Sequence, residues 1–273
     1  MLTLTYLGVA GWQLQAGRSS LLVDPYFTRL PLWRLAFGRA APDADVVAQH
    51  TPPGDWLLVT HPHYDHLLDV PEAARLTGAT VYASEQGCAL LGLLSVPGEQ
   101  VCPIAAGDRL ALGPFDVEVY RVPHRLTLGR VPAEGPLREG LKPPLRVRDY
   151  RTRELFSFHI GVSGLRVLIA SGIDDEPEVE ADVLLVGADA SRAQLRRILG
   201  AAQPRLVLPN HWDDMFRPLS EPVRPSFRPP RRLGLPRRLD LDAWAAAVRE
   251  LAPGAQVLVP EWFAPVGVDA LLG

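Results

Sequence analysis

The chain has 273 residues, 47% of them hydrophobic and 22% charged, which supplies the apolar material for a large core and excludes a disordered chain. The formal net charge is −3, no apolar run reaches membrane-spanning length, and Met1-Leu2-Thr3-Leu4-Thr5 lacks the basic region and long apolar stretch of a secretory signal. The two cysteines, Cys88 and Cys102, form no disulfide framework and no metal-ligand spacing; they read as reduced thiols of a cytoplasmic protein, with Cys88 packed in a helical-looking apolar stretch.

Short apolar or alternating runs predict strands near residues 2–7, 12–16 and 20–24, followed by a long connection to residue 55. Trp56-Leu57-Leu58-Val59-Thr60 reads as a buried strand. A helix near 71–78, a strand at 80–82 and a helix near 84–93 follow, and strands recur near 115–122, 155–162 and 165–170. A second βα run places a strand at 182–186, a helix at 191–200 and a strand at 205–209, before a last helix near 241–251 and a last strand near 256–259. Antiparallel strands early and βα units later predict an α/β sandwich, with helices covering two packed sheets. No linker divides the chain, so one domain over residues 1–273 is expected.

The densest chemistry lies at His61-Pro62-His63-Tyr64-Asp65-His66, directly after the strand at 56–60. Three of the seven histidines and a carboxylate fall within six residues there. Neutral imidazoles and carboxylates are the donors that zinc, iron and manganese take. In an extended or turning loop His61 and His63 can point one way while Asp65 and His66 point another, so two ions a few ångströms apart could be held. Further histidines end other strand-like runs: His124 after Arg121-Val122-Pro123, and His211 after Leu206-Val207-Leu208-Pro209-Asn210. Asp174 follows Val167-Leu168-Ile169-Ala170-Ser171-Gly172-Ile173. His159 reads as a residue of an alternating strand, and His50 as exposed.

The pattern His61-x-His63-x-Asp65-His66, with His124, Asp174 and His211 following in order at strand ends, resembles the metallo-β-lactamase superfamily. Leu21-Leu22-Val23-Asp24-Pro25 also resembles an early strand of that superfamily, and the likeness runs from about Leu4 to about Phe263. It implies an αββα sandwich of two mixed sheets flanked by helices, with metals at one edge between them. It implies two divalent ions, zinc the expected species and manganese or iron the alternatives. His61, His63 and His124 would hold the first, Asp65, His66 and His211 the second, and Asp174 would bridge. The chain departs from the superfamily in one place: Ile173 separates Gly172 from Asp174, so Asp174 or Asp175 must reach in. Asp24 is a candidate second-sphere acceptor or a strand-end cap, and Asp213 and Asp214 read as caps of the turn after His211.

The implied activity is metal-dependent hydrolysis, in which a metal-activated hydroxide cleaves an ester, lactone, thioester or phosphodiester, with Asp65 orienting the nucleophile and handling its proton. The resemblance is to the broad lactonase- and phosphodiesterase-like branch. Two alternatives belong to other classes: a di-iron protein handling oxygen, and a non-catalytic metal-binding protein.

Three long connections remain. Residues 25–50 carry Tyr26, Phe27, Leu30, Leu32, Trp33, Leu35 and Phe37, and read either as a wall over the site or as a helix docked on the core. Residues 125–153 hold eight basic and three acidic side chains, and residues 215–240 hold seven arginines and two acids. Both follow candidate ligands and should rim one cleft. They suggest an anionic small-molecule substrate, or else a solvated basic surface. Nucleic acid is not the expected partner, because neither stretch interleaves aromatics or carries a binding motif.

Overall fold

The computed structural model describes residues 1–36, 38–124, 131–172, 175–228 and 237–273. The chain begins with β1 (Leu2–Gly8), β2 (Gly11–Ala16), β3 (Ser19–Val23), β4 (Trp56–Leu58), β5 (Thr80–Ala83) and β6 (Val101–Pro103). Next come β7 (Arg109–Leu112), β8 (Phe115–Val122), β9 (Leu155–Val162), β10 (Leu165–Ile169), β11 (Val183–Gly187) and β12 (Leu206–Asn210). A ribbon of β13 (Phe227–Arg228) and β14 (Arg237–Arg238), then β15 (Gln256–Val257) and β16 (Pro265–Gly267), complete the strands. Among the described residues they form two mixed seven-stranded sheets, ordered β16-β1-β2-β3-β4-β5-β6 and β15-β12-β11-β10-β9-β8-β7.

Side-chain alternation separates the layers. On β1, Leu2, Leu4 and Tyr6 join the core between the sheets, together with Phe115, Val117 and Val119 of β8. Leu7, Leu22, Leu57 and Val81 face the other way, into a second core. The helices are α1 (Leu32–Ala36), α2 (Ala44–His50), α3 (Tyr64–Leu67), α4 (Val70–Thr77), α5 (Glu85–Leu93), α6 (Arg192–Ala202), α7 (Leu241–Leu251) and α8 (Val268–Leu272). Val47 of α2, Ala73 and Ala74 of α4, and Leu90 and Leu91 of α5 pack into that second core. Leu195 and Ile198 of α6 and Val248 of α7 pack on the other sheet. Helix starts follow the chemistry of their caps: Asp43, Ser84, Ser191 and Asp240 each accept a hydrogen bond from a first-turn amide. No helix among the described residues is long and apolar enough to cross a membrane.

The topology decides where chemistry can gather. β8 runs antiparallel to β9 and β9 antiparallel to β10, while β10, β11 and β12 are mutually parallel. The C-terminal ends of β8, β10, β11 and β12 therefore share one edge of the sheet, and loops leaving such an edge are where α/β proteins place ligands.

Most expected elements are present, and several others join them, among them α2, α8 and β16. Residues 101–103 and 109–112 are strands, although their short, weakly alternating sequence carries little periodic signal. The connection over residues 25–50 divides its roles: Tyr26, Phe27 and Leu30 are buried, while Leu32 and Trp33 on α1 are exposed. Phe37 lies outside the described residues. His50 is half-buried rather than exposed, because the C-terminus of α2 turns its ring between Phe27 and Phe263, at centroid distances of 6.2 and 5.0 Å.

Candidate metal centre

β4 ends at Leu58, and the next residues are held from both sheets. Val59 N donates to the Tyr82 carbonyl (2.9 Å), and Phe156 N of β9 donates to the Thr60 carbonyl (2.9 Å). His61 and His63 sit on the extended segment that follows. Tyr64–Leu67 is then a helical turn rather than open loop, so Asp65 and His66 project from a helix. His124 follows β8 and His211 follows β12.

These residues converge as two triads. Donor atoms of His61, His63 and His124 lie within 4.8 Å of one another, and so do those of Asp65, His66 and His211. His61 Nε2 and His63 Nδ1 face each other at 3.0 Å, and the rings of His61 and His66 join the triads at a centroid distance of 4.0 Å. Asp65 Oδ2 lies 3.3 Å from His211 Nε2 and 3.7 Å from His66 Nε2. Asp174 lies outside the described residues. Asp175 is described, and its exposed carboxylate pairs with Arg197 at 3.2 Å. His159 sits in β9 and meets the Glu180 carbonyl at 3.0 Å.

A buried carboxylate orients the rings. Asp24, fully buried, accepts hydrogen bonds from His66 Nδ1 (2.7 Å), from the Thr60 amide (2.8 Å) and from the Thr60 hydroxyl. With that hydroxyl proton committed to Asp24, the Thr60 oxygen is left to accept from His61 Nδ1 at 3.1 Å. Both rings then turn Nε2 toward the centre, as such acceptors do for ligating histidines.

The electrostatics suit a cation. Burial, then the neighbouring His66 and His63 rings, hold the His61 pKa well below its ordinary value. Burial likewise brings His63 down to about 3, so both rings keep free lone pairs at neutral pH. Burial would raise the Asp65 pKa, but the charges of His66 and His211 hold it below the usual carboxylate range. Burial also opposes charge on His66, yet Asp24 and Asp65 raise its pKa. The field that favours a proton there favours a metal cation at Nε2. The donor set and its field therefore fit divalent ions.

Strain marks the last candidate ligand. His211 has φ of +51° and Val9 has φ of +53°, a left-handed conformation that costs a β-branched residue about 1 kcal/mol or more. The two residues hold each other: His211 N donates to the Val9 carbonyl (2.8 Å) and to Asn210 Oδ1 (3.0 Å), and Val9 N donates to Asp213 Oδ1 (2.6 Å). Asp213 also accepts from the Tyr6 hydroxyl (2.6 Å) and pairs with the buried Arg29 at 3.0 Å. It is thus a buried anchor joining β1 to the His211 loop, rather than a turn cap. Asp214 accepts from the Phe216 amide at 3.3 Å, as a cap would, and also pairs with Arg224 and Arg238 at 3.1 and 3.4 Å.

The end of β10 is fixed by a second, half-buried acid, Glu176. Ser157 Oγ donates to Glu176 Oε2 (2.7 Å) and accepts from the Ser171 amide (2.9 Å). Burial pushes the Glu176 pKa up to about 7. A Cβ at residue 172 would lie 2.8 Å from Glu176 Oε1 and 3.1 Å from the Pro123 carbonyl, so a side chain there would displace the Glu176 carboxylate and press on the Pro123 backbone.

The triads open into a cleft of about 630 Å³, whose walls include Leu35, Tyr150, Arg148, Asp189, Met215 and Phe216. Sequence reasoning did not single out these residues as a group. Asp189 had a usable signal, since it follows β11 at the strand edge that delivers His124 and His211. Arg148 and Met215 come from irregular connections with no period to read.

The family model described as "Beta-lactamase superfamily domain" matches residues 20–212. A protein of Pyrobaculum arsenaticum named "UPF0173 metal-dependent hydrolase" is 31% identical over 46% of this chain and 51% of its own length, so the match spans about half of that relative. A protein of the same description from Symbiobacterium thermophilum is 27% identical over 76% of this chain and 82% of its own. Igni18, described as a metallo hydrolase from the archaeon Ignicoccus hospitalis, superposes with a TM-score of 0.61 at 18% identity, covering 97% of both chains, and so shares the fold. With its two seven-stranded sheets, its flanking helices and its match to the family model, the chain belongs to the metallo-β-lactamase-fold superfamily.

Proposed function

We propose that the protein is a metal-dependent hydrolase acting on a small molecule in the cleft above the two triads. The observation that carries this reading is the convergence of His61, His63 and His124 beside Asp65, His66 and His211 at the ends of β4, β8 and β12. The two relatives above carry the same activity in their names. In this reading the first triad holds one divalent ion and the second triad another, zinc being the expected species, with Asp174 as the bridging carboxylate. Such ions, when bound, lower the pKa of water toward neutrality and polarise a carbonyl or phosphoryl oxygen.

The chain supplies the rest. Asp24 and Thr60 fix the rings of His61 and His66. Asp65, kept as a carboxylate by His66 and His211, takes up the proton of the attacking water at its carboxylate oxygen and returns it to the leaving group. Burial raises the pKa of Tyr64, which keeps its hydroxyl proton and donates it to Met215 Sδ at 3.2 Å; that contact holds one wall of the cleft. A volume of about 630 Å³ suits a small molecule. The unpaired Cys88 and Cys102 fit the reducing conditions of a cytoplasm.

Turnover of ester, lactone, thioester and phosphodiester panels tests the reading. Metal-dependent hydrolysis of at least one class, lost in His63→Ala with the circular dichroism spectrum retained, is expected. No turnover by metal-loaded protein would favour a non-catalytic metal-binding protein, and two irons with oxygen consumption would favour redox chemistry.

A further inference from the structure

Apart from the candidate ligands, the cleft is walled largely by apolar side chains, among them Leu35, Val147, Tyr150, Met215 and Phe216. One Lys or Arg lines it among the described residues, Arg148. This residue is exposed and has no ion-pair or hydrogen-bond partner among the described residues. Its neighbour Asp149 does not neutralise it. That carboxylate is buried, accepts from the Arg146 amide at 3.0 Å and faces Arg138 at 3.7 Å.

The other described cations of the two basic connections do not compete for the role. Arg217 pairs with Glu221 at 2.9 Å, Arg224 and Arg238 pair with Asp214, and none of them lines the cleft. Arg148 also stands on an ordered element. It is the middle residue of the 3₁₀ turn Val147–Asp149, closed by the Asp149 and Tyr150 amides donating to the Arg146 and Val147 carbonyls at 2.9 and 3.2 Å. The side chain is therefore presented from a fixed backbone, and ordering it on a ligand costs little beyond its own rotamers. The acidic residues of the lining, Asp65 and Asp189, come from α3 and from the edge after β11, whereas Arg148 comes from the connection between β8 and β9.

We propose that Arg148 is the specificity-determining residue of this cleft, pairing with an anionic group on a substrate whose apolar body lies along Leu35, Val147, Tyr150, Met215 and Phe216. The substrate class is a small amphipathic organic anion, such as an aryl or alkyl ester that also carries a carboxylate. The proposal rests on the hydrolase reading for the scissile bond, but its binding half stands apart from turnover. A guanidinium takes a carboxylate by two parallel hydrogen bonds, which an ammonium cannot reproduce.

The test titrates 6-phenylhexanoate and its amide, 6-phenylhexanamide, by calorimetry into the full chain as purified. The wild type should bind the acid more tightly than the amide. Arg148→Gln should reduce that preference by about fivefold, the scale of one partly exposed ion pair, and Arg148→Lys should restore part of it. An undiminished preference in Arg148→Gln, or no binding of either ligand to the wild type, would overturn the proposal. Hydrolysis of the matched phenyl esters with and without a terminal carboxylate gives the second readout: the ratio of their kcat/KM values should fall in Arg148→Gln. If the calorimetric preference depends on Arg148 but no ester turns over, the hydrolase reading fails and the anion site stands.

Discussion

Asp24 Oδ2 accepts a hydrogen bond from His66 Nδ1 at 2.7 Å, across 42 positions of sequence. The same carboxylate takes the Thr60 amide and hydroxyl, so one buried acid sets the orientation of a ring in each triad. Replacing it with Asn puts an amide N–H against one of these donors. Asp24→Asn should lower metal affinity about 10- to 100-fold, the usual cost of losing such a support. Chelator competition on the purified variant measures it, and affinity equal to wild type would remove Asp24 from the account.

Asp213 joins the β1–β2 turn to the loop of His211 through Tyr6, Val9 and Arg29. Asp213→Ala leaves the Arg29 cation buried without its partner and the Val9 amide without its acceptor, while the Tyr6 hydroxyl keeps the Val9 carbonyl at 2.9 Å. A loss of about 3–5 kcal/mol is expected for breaking such a pair, read as a shift in the urea midpoint at constant slope. A loss below about 1 kcal/mol, the level of a surface pair, would show that Arg29 finds another partner.

These anchors explain how far the sequence could be read. The strands were legible because alternation such as Phe115-Asp116-Val117-Glu118-Val119-Tyr120 and apolar runs such as Leu206-Val207-Leu208 carry a period. His61, His63, Asp65 and His66 were legible because four donors crowd into six positions, and His124 and His211 because each ends a strand. The roles of Asp69, Asp213 and Arg148 were not legible. Each depends on a partner or a cavity brought near by the fold, and a lone Asp or Arg in an irregular segment looks the same whether it faces water or core.

Asp69 gives a pH dependence with a definite sign. It is fully buried; its Oδ2 accepts from the Phe27 and Thr28 amides at 2.6 and 2.7 Å, and its Oδ1 has no hydrogen-bond partner among the described residues. Burial pushes its pKa up to about 6, so the folded chain holds a proton that the unfolded chain, near pKa 3.9, releases. That contribution is present below about pH 4 and is lost as pH rises toward 6, on the order of 2–3 kcal/mol. Asp69→Asn keeps an oxygen for the two amides and removes the titration. Its stability relative to wild type should therefore rise between pH 4 and pH 6.5 in unfolding curves; a constant difference would mean that Asp69 is ionised throughout.

Asp175 points to Arg197, so Asp174 is the proposed bridging group. Asp174→Asn should reduce metal stoichiometry toward one per chain, while Asp175→Asn keeps the wild-type value. The opposite pattern in elemental analysis would assign the bridge to Asp175.

The most direct measurement is metal content per chain by elemental mass spectrometry, on wild type, His124→Ala and His211→Ala after reconstitution with zinc and removal of unbound ion. The account predicts about two ions in the wild type and about one in each variant, as a pair of separable triads requires. One ion or fewer in the wild type, or an unchanged count in both variants, would contradict it.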